Sequence, residues 1–194
     1  MDKDLCQKIR EWVDAHEEAV ISDVRRLVSI GSVAELDSSV PPYGQACRDV
    51  MEEYCKIAVE HGYCWTSYDD RVIRVDTGEG DGQPDIGIWN HLDVVPAGHD
   101  WKYEPYGLTV DGGCMIGRGV KDNKGPAVAA IYAVRCLQEL GVELKHKISF
   151  YAGLEEEKGM TDIHWLTDHQ VELPKMNIVL DSRYPVCHGE KGIL

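Results

Sequence analysis

Basic residues are scarce in this chain. Lysine and arginine number 20 against 34 aspartates and glutamates, a formal charge of −14 over 194 residues. Nucleic acid and anionic membrane both select basic patches, so this balance argues against either as a partner. No apolar run approaches the roughly 20 residues that a membrane span needs. The start, Met1-Asp2-Lys3-Asp4-Leu5, has neither the basic stretch nor the apolar core of a secretory signal. The seven cysteines are scattered, odd in number and never spaced as C-x-x-C. They read as reduced thiols, mostly small core residues, with none in a nucleophile context. Repeats, linkers and low-complexity segments are absent too. The expectation is a soluble cytoplasmic protein, long enough for one domain with a real core.

What is there alternates helix and strand. Leu5, Ile9, Trp12, Val13, Ile21, Val24, Leu27 and Val28 recur with a mostly helical period over residues 4–29, and Gly31-Ser32 ends the run. A loop over 33–43 precedes a second helix over 44–62. Strands are expected at 71–75, 86–89, 147–152 and 177–180, with a hairpin around Asp111-Gly112-Gly113. A helix begins near Gly125-Pro126 and stops at Gly141, and another lies around 159–168. This order predicts an α/β fold, a mixed sheet flanked by helices.

The chemistry sits where those strands run out. His91-Leu92-Asp93 follows one strand, Glu155-Glu156-Glu157 another and Asp181 a third, while Asp122 precedes a helix. The stations are roughly one βαβ unit apart, about 30 residues. Open α/β sheets gather their sites at the carboxyl ends of strands. One imidazole and several carboxylates brought to one edge suit a divalent metal. Two such ions bridged by a carboxylate would activate a water, and a further carboxylate would move its proton. Taken singly, each residue has a plainer reading. His91 would be a buried histidine, Asp122 a helix cap, the glutamates a solvated loop and Asp181 a turn residue. Their common register favours the site. His16, His61, His146, His164 and His169 read as surface or packing residues. His99 and His188 lie in loops and could reach a substrate.

Four segments carry a resemblance: His91-Leu92-Asp93-Val94-Val95-Pro96-Ala97-Gly98, Gly117-Arg118-Gly119-Val120-Lys121-Asp122-Asn123-Lys124-Gly125-Pro126, Glu156-Glu157-Lys158-Gly159 and Gly189-Glu190-Lys191-Gly192. Together they resemble the dinuclear-zinc metallopeptidase family of aminoacylases, carboxypeptidases and dipeptidases, in its PepV-type dipeptidase branch. The resemblance implies two divalent metal ions, zinc first, with manganese or cobalt as alternatives. It implies that His91, Asp122 and Asp181 hold one metal, that Asp122 bridges, and that Glu157 holds the other. Asp93 would orient His91, and Glu156 would be the general base. Glu155 receives no role. A cis peptide between Asp122 and Asn123 is implied as well. Asn90 departs from the family's usual glycine, and Arg183 from an acidic residue.

Family members are longer than this chain. Residues 1–194 are therefore expected to be the N-terminal part of a zinc-peptidase catalytic domain, without the lid and a last histidine ligand. The expected activity is metal-dependent hydrolysis of an amide in a dipeptide or N-acyl amino acid, impaired in this chain. The alternatives are a non-catalytic metal-binding remnant or an N-acyl amino acid deacylase.

Overall fold

In the computed structural model, which describes residues 3–78 and 82–181, the N-terminal periodicity becomes α1 (Lys3–Val28) and α2 (Gln45–Glu60). Val24, Leu27 and Val28 of α1 and Val50, Tyr54, Ile57 and Ala58 of α2 are buried at helical spacing, as an amphipathic face requires. β1 (Cys64–Tyr68), β2 (Val72–Asp76) and β3 (Ile86–His91) follow. Next comes a hairpin of β4 (Thr109–Asp111) and β5 (Cys114–Ile116). Its turn residues Gly112 and Gly113 have φ of 59° and 77°, a conformation that glycine adopts without strain. α3 (Lys124–Glu139), β6 (Ile148–Gly153), α4 (Thr161–Asp168) and β7 (Met176–Val179) complete the described elements.

Five strands form one sheet in the order β1-β2-β6-β3-β7. β1, β2 and β6 are antiparallel neighbours, and β6, β3 and β7 run parallel. Strand periodicity divides the side chains between two layers. Ile73, Val75, Phe150 and Ala152 join the core under α1, α2 and α3, whereas Val72 and Tyr151 pack with Leu166 of α4 on the other face. The chain leaves β3 through α3 to reach β6, then returns through α4 to β7 on the far side of β3. The order therefore reverses at β3, where open sheets form a crevice beyond the strand ends. The α/β expectation holds, with each expected element displaced by only a few residues.

β1 was not expected. All of its residues are exposed or half-buried, and Trp65 is 44% exposed. An edge strand without a buried face carries no alternation to read; its pairing with β2 supplies the order instead. The cysteines divide evenly. Cys47, Cys55 and Cys136 are buried, Cys6 is half-buried, and Cys64 and Cys114 are exposed, so the core expectation holds for half of those described. Cys187 lies outside the described residues. Burial pushes the Cys47 and Cys55 thiols up to about 12, which suits packing rather than nucleophilic chemistry.

A buried polar hub ties the three helices of one layer together. Asp23 of α1 accepts hydrogen bonds from the Tyr132 hydroxyl at 2.9 Å and from Arg26 at 3.0 Å. His61, just past α2, places Nε2 3.1 Å from the same carboxylate, while Arg135 donates to its Nδ1 at 3.1 Å. An accepting Nδ1 leaves Nε2 as the donor to Asp23. Burial alone would raise the Asp23 pKa, but His61, Tyr132 and Arg26 outweigh it and hold it below the ordinary 3.8. A carboxylate with a depressed folded pKa stabilises the fold above its unfolded pKa, and that stability is lost as pH falls through the folded value. Asp23→Asn should therefore cost about 1–3 kcal/mol at pH 7. The difference should shrink below pH 3.8. Urea denaturation of both proteins across that range measures it; a gap unchanged at low pH would contradict the assignment.

Candidate metal centre

β3 and β6 end side by side, with His91 paired to Gly153. The next residues of both strands leave the sheet and form the site. Asp93, fully buried, stands at the junction. Its Oδ1 accepts the backbone N–H of Glu156 at 3.0 Å and its Oδ2 that of Glu157 at 3.1 Å. The same carboxylate lies 3.2 Å from His91 Nδ1. Nδ1 also faces the Asp93 carbonyl at 3.1 Å. Both partners only accept, so Nδ1 carries a hydrogen and Nε2 is the nitrogen turned to the site.

Around Nε2 the carboxylates converge. Asp122 Oδ1 is at 2.9 Å, Asp181 Oδ2 at 3.6 Å and Glu156 Oε2 at 3.9 Å. Burial alone would lower the His91 pKa; the hydrogen bond and charge of Asp93, then Asp181 and Glu156, outweigh it and lift it to about 9. Burial also raises the Glu156 pKa, with Asp181, Glu157 and Asp93 adding to it and His91 opposing. Glu157 is raised by burial and by Asp122. Two sets of three side chains have ligand atoms within 4.8 Å of one another: His91, Asp122 and Glu157, and His91, Glu156 and Asp181. Ligands on one ion at about 2.0–2.2 Å lie no more than about 4.4 Å apart, so donors this close fit a divalent cation after small adjustments. Imidazole nitrogen and carboxylate oxygen are the donor types such cations take.

All six residues singled out in the sequence, His91, Asp93, Asp122, Glu156, Glu157 and Asp181, thus meet in one place. The sets differ from the sharing that the resemblance implies: Asp122 and Asp181 fall in different sets, and Glu156 stands among the donors. Asp122 is no helix cap; α3 starts after Asn123 without a side-chain cap, and the Asp122–Asn123 peptide is cis, as implied. His99 is exposed in the loop after β3 and belongs to neither set. His188, Arg183 and the segment from Gly189 to Gly192 lie outside the described residues.

Several supporting residues escaped the sequence reading. Glu155 is fully buried, and its Oε2 accepts from Thr161 N at 2.8 Å and Thr161 Oγ1 at 2.7 Å. Asp162 answers in the other direction, accepting from Leu154 N at 2.9 Å and Glu155 N at 3.1 Å. This reciprocal pair closes the 154–161 turn that carries Glu156 and Glu157. Glycine is required at 153, where an added Cβ would lie 2.4 Å from Asp162 Oδ2. Lys124 is fully buried, and its Nζ donates to Leu27 O at 3.0 Å and Ile30 O at 2.6 Å, carbonyls at the end of α1. Burial lowers its pKa to about 7, against the opposing charges of Cys47 and Asp93. A capping-box spacing hints at carboxylate-to-backbone pairs, but Glu155 and Asp162 do not share it, and nothing in a single sequence marks Lys124 as buried.

A mixed sheet with imidazole and carboxylates at its crevice is an arrangement of metallohydrolases. Residues 87–189, just over half of the chain, match the model of peptidase family M20/M25/M40, and the chain belongs to that family. A Staphylococcus saprophyticus relative is 36% identical over 188 residues, covering 95% of this chain and 39% of its own length. The Beta-Ala-Xaa dipeptidase of Lactobacillus delbrueckii subsp. lactis is 33% identical over 189 residues, with the same 95% and 39% coverage. The chain thus spans about two fifths of these curated relatives. Among solved structures, human carnosine dipeptidase 1 superposes with a TM-score of 0.77 at 24% identity, over 92% of this chain and 41% of that one. The dipeptidase Dug1p of Saccharomyces cerevisiae gives 0.71 at 20% identity, over 84% and 37%. At these identities the two structures show the fold alone, and it corresponds to the N-terminal part of the family's catalytic domain.

The Asp93 clamp yields a direct expectation. Asp93→Asn turns an amide N–H against one of two backbone donors and removes a buried charge from His91. The cost should be about 3 kcal/mol or more. The backbone amides of Glu156 and Glu157 should also exchange faster by hydrogen-exchange NMR. Unchanged stability and unchanged exchange would show that the clamp does not hold the turn.

Proposed function

We propose that this chain is the metal-binding part of a catalytic domain that hydrolyses the amide bond of dipeptides, with N-acyl amino acids as a further substrate class. The observation that carries the reading is the convergence of Asp122, Asp181 and Glu156 on one buried imidazole whose other nitrogen is fixed by Asp93. Membership of a peptidase family supports it, and so does the likeness to a Beta-Ala-Xaa dipeptidase.

His91, Asp122, Asp181 and Glu157 would hold divalent metal, zinc first. When bound, such ions acidify a water and polarise a substrate carbonyl. Asp93 keeps the His91 hydrogen on Nδ1, so that Nε2 is free to bind, and it aims the ring. Glu156 is the remaining carboxylate. It is about one-third exposed, and its raised pKa suits a group that accepts a proton and then releases it. In this role it takes the proton of the attacking water and delivers it to the leaving amine.

Among the described residues one imidazole serves both donor sets. Calorimetric titration with zinc should therefore show a single tight site, weakened at least tenfold in His91→Ala. Two equally tight sites, or an affinity indifferent to His91, would contradict the assignment. The same sharing implies slow dipeptide turnover by the 194 residues alone. Glu156→Ala should lower whatever turnover is measured with zinc or manganese by about 10²–10⁴-fold. Its zinc site should remain. Robust turnover that survives the substitution would remove Glu156 from the base role.

A further inference from the structure

We propose that Asn90 is a positioning residue: acting through Asn123, it fixes the orientation of the Asp181 carboxylate so that one oxygen is held by Asn123 and the other faces the metal site. The proposal rests on the metal-binding reading of Asp181.

Asn123 follows the Asp122 peptide and is fully buried, and Asn90 precedes His91 at 7% exposure. The Asn123 side chain reaches the segment leaving β7, where its Nδ2 donates to the Leu180 carbonyl at 2.9 Å and to Asp181 Oδ1 at 3.0 Å. A carbonyl and a carboxylate only accept, so chemistry alone fixes this end of the amide as NH₂, with both hydrogens committed. The opposite end, Asn123 Oδ1, then faces β3 and needs a donor. Asn90 Nδ2 is that donor, in a short contact between the two buried amides.

The consequence appears at the far end of Asn90. Its Oδ1 is buried and has no hydrogen-bond partner among the described residues. An orphan buried acceptor is unfavourable, and turning the amide over would expose it to a worse neighbour, the Asn123 oxygen. The relay is therefore polar in one direction only, from Asn90 to Asn123 to Asp181. At its end Asp181 Oδ1 is occupied by Asn123, and Oδ2 is the oxygen 3.6 Å from His91 Nε2. Without the Asn90 donor, the buried Asn123 Oδ1 loses its partner and the amide is held from the Leu180 and Asp181 end alone. The N–H that holds Asp181 Oδ1 is then less firmly placed.

The test compares the 194-residue chain with Asn90→Leu, a variant of similar volume without a donor, and with Asp181→Ala. Zinc affinity by calorimetry, the visible spectrum of the cobalt(II) form and the melting curve are recorded for each. Asp181→Ala should bind at least tenfold more weakly than the parent. Asn90→Leu should lose about 10- to 100-fold in zinc affinity, as outer partners of metal ligands do, with an altered cobalt spectrum and a cooperative melt. A parent and Asp181→Ala that bind alike would overturn the metal reading of Asp181, and the relay with it. A folded Asn90→Leu with parental affinity and spectrum, beside a weakened Asp181→Ala, would overturn the relay alone. If Asn90→Leu does not fold, the parent decides. Its Asn123 side-chain NH₂ should exchange at least tenfold more slowly than exposed amides, and exchange at their rate would overturn the proposal.

Discussion

The buried carboxylate of Asp93 joins the two halves of the candidate site. It lies on the segment leaving β3, yet both of its oxygens receive backbone N–H groups from the segment leaving β6. A charge this deep is tolerated only because three donors meet it, two amides and the His91 ring. Those donors are also the means by which position is transmitted. The imidazole, the base candidate and one metal-ligand candidate cannot shift independently, because each is tied to the same side chain. Irregular backbone is where neighbouring glutamates can point into a common space, since a regular strand would send them to opposite faces. Asp93, Glu155 and Asp162 stabilise that irregular turn.

Around this junction the fold invests buried polar groups heavily. Lys124 fastens the stretch carrying Asp122 to the end of α1. Asn123 fastens it to the segment leaving β7. The stations of Asp122, Glu156 and Asp181 are thus each anchored to an element other than their own, which keeps three separately delivered carboxylates within reach of the His91 nitrogen. Preorganisation of this kind precedes metal affinity, because ligands already in place lose little freedom on binding.

The sequence was legible where periodicity and chemistry coincide. β3 and β6 read as short buried runs followed by His91 and by the glutamates, and the register of a parallel sheet then placed them together. α1, α2 and α3 were legible from their apolar spacing. β1 was not, because no face of it is buried. The six site residues were legible as types at strand ends, but their grouping was not. Which carboxylates group together around His91 depends on the turn at 154–161 and on the path of the segment leaving β7. Side chains of Glu155 and Asp162 close that turn and the distant Asp93 holds it, and periodicity marks none of this. Glu155 shows this limit most clearly. It stands in the same acidic run as Glu156 and Glu157, yet it points inward to Thr161 and shapes the turn instead of facing the site. Dipeptidase relatives and M20 membership agree with the chemistry read from the residues.

Divalent metal binding by this cluster stands or falls on His91 Nε2. A crystal of the chain soaked in zinc, with anomalous diffraction recorded on both sides of the zinc edge, tests it directly. The expected outcome is an anomalous peak about 2.0–2.1 Å from His91 Nε2 with carboxylate oxygens of Asp122 or Asp181 completing its coordination. A fully occupied zinc elsewhere on the chain, with His91 Nε2 still paired to Asp122 and no peak beside it, would contradict it.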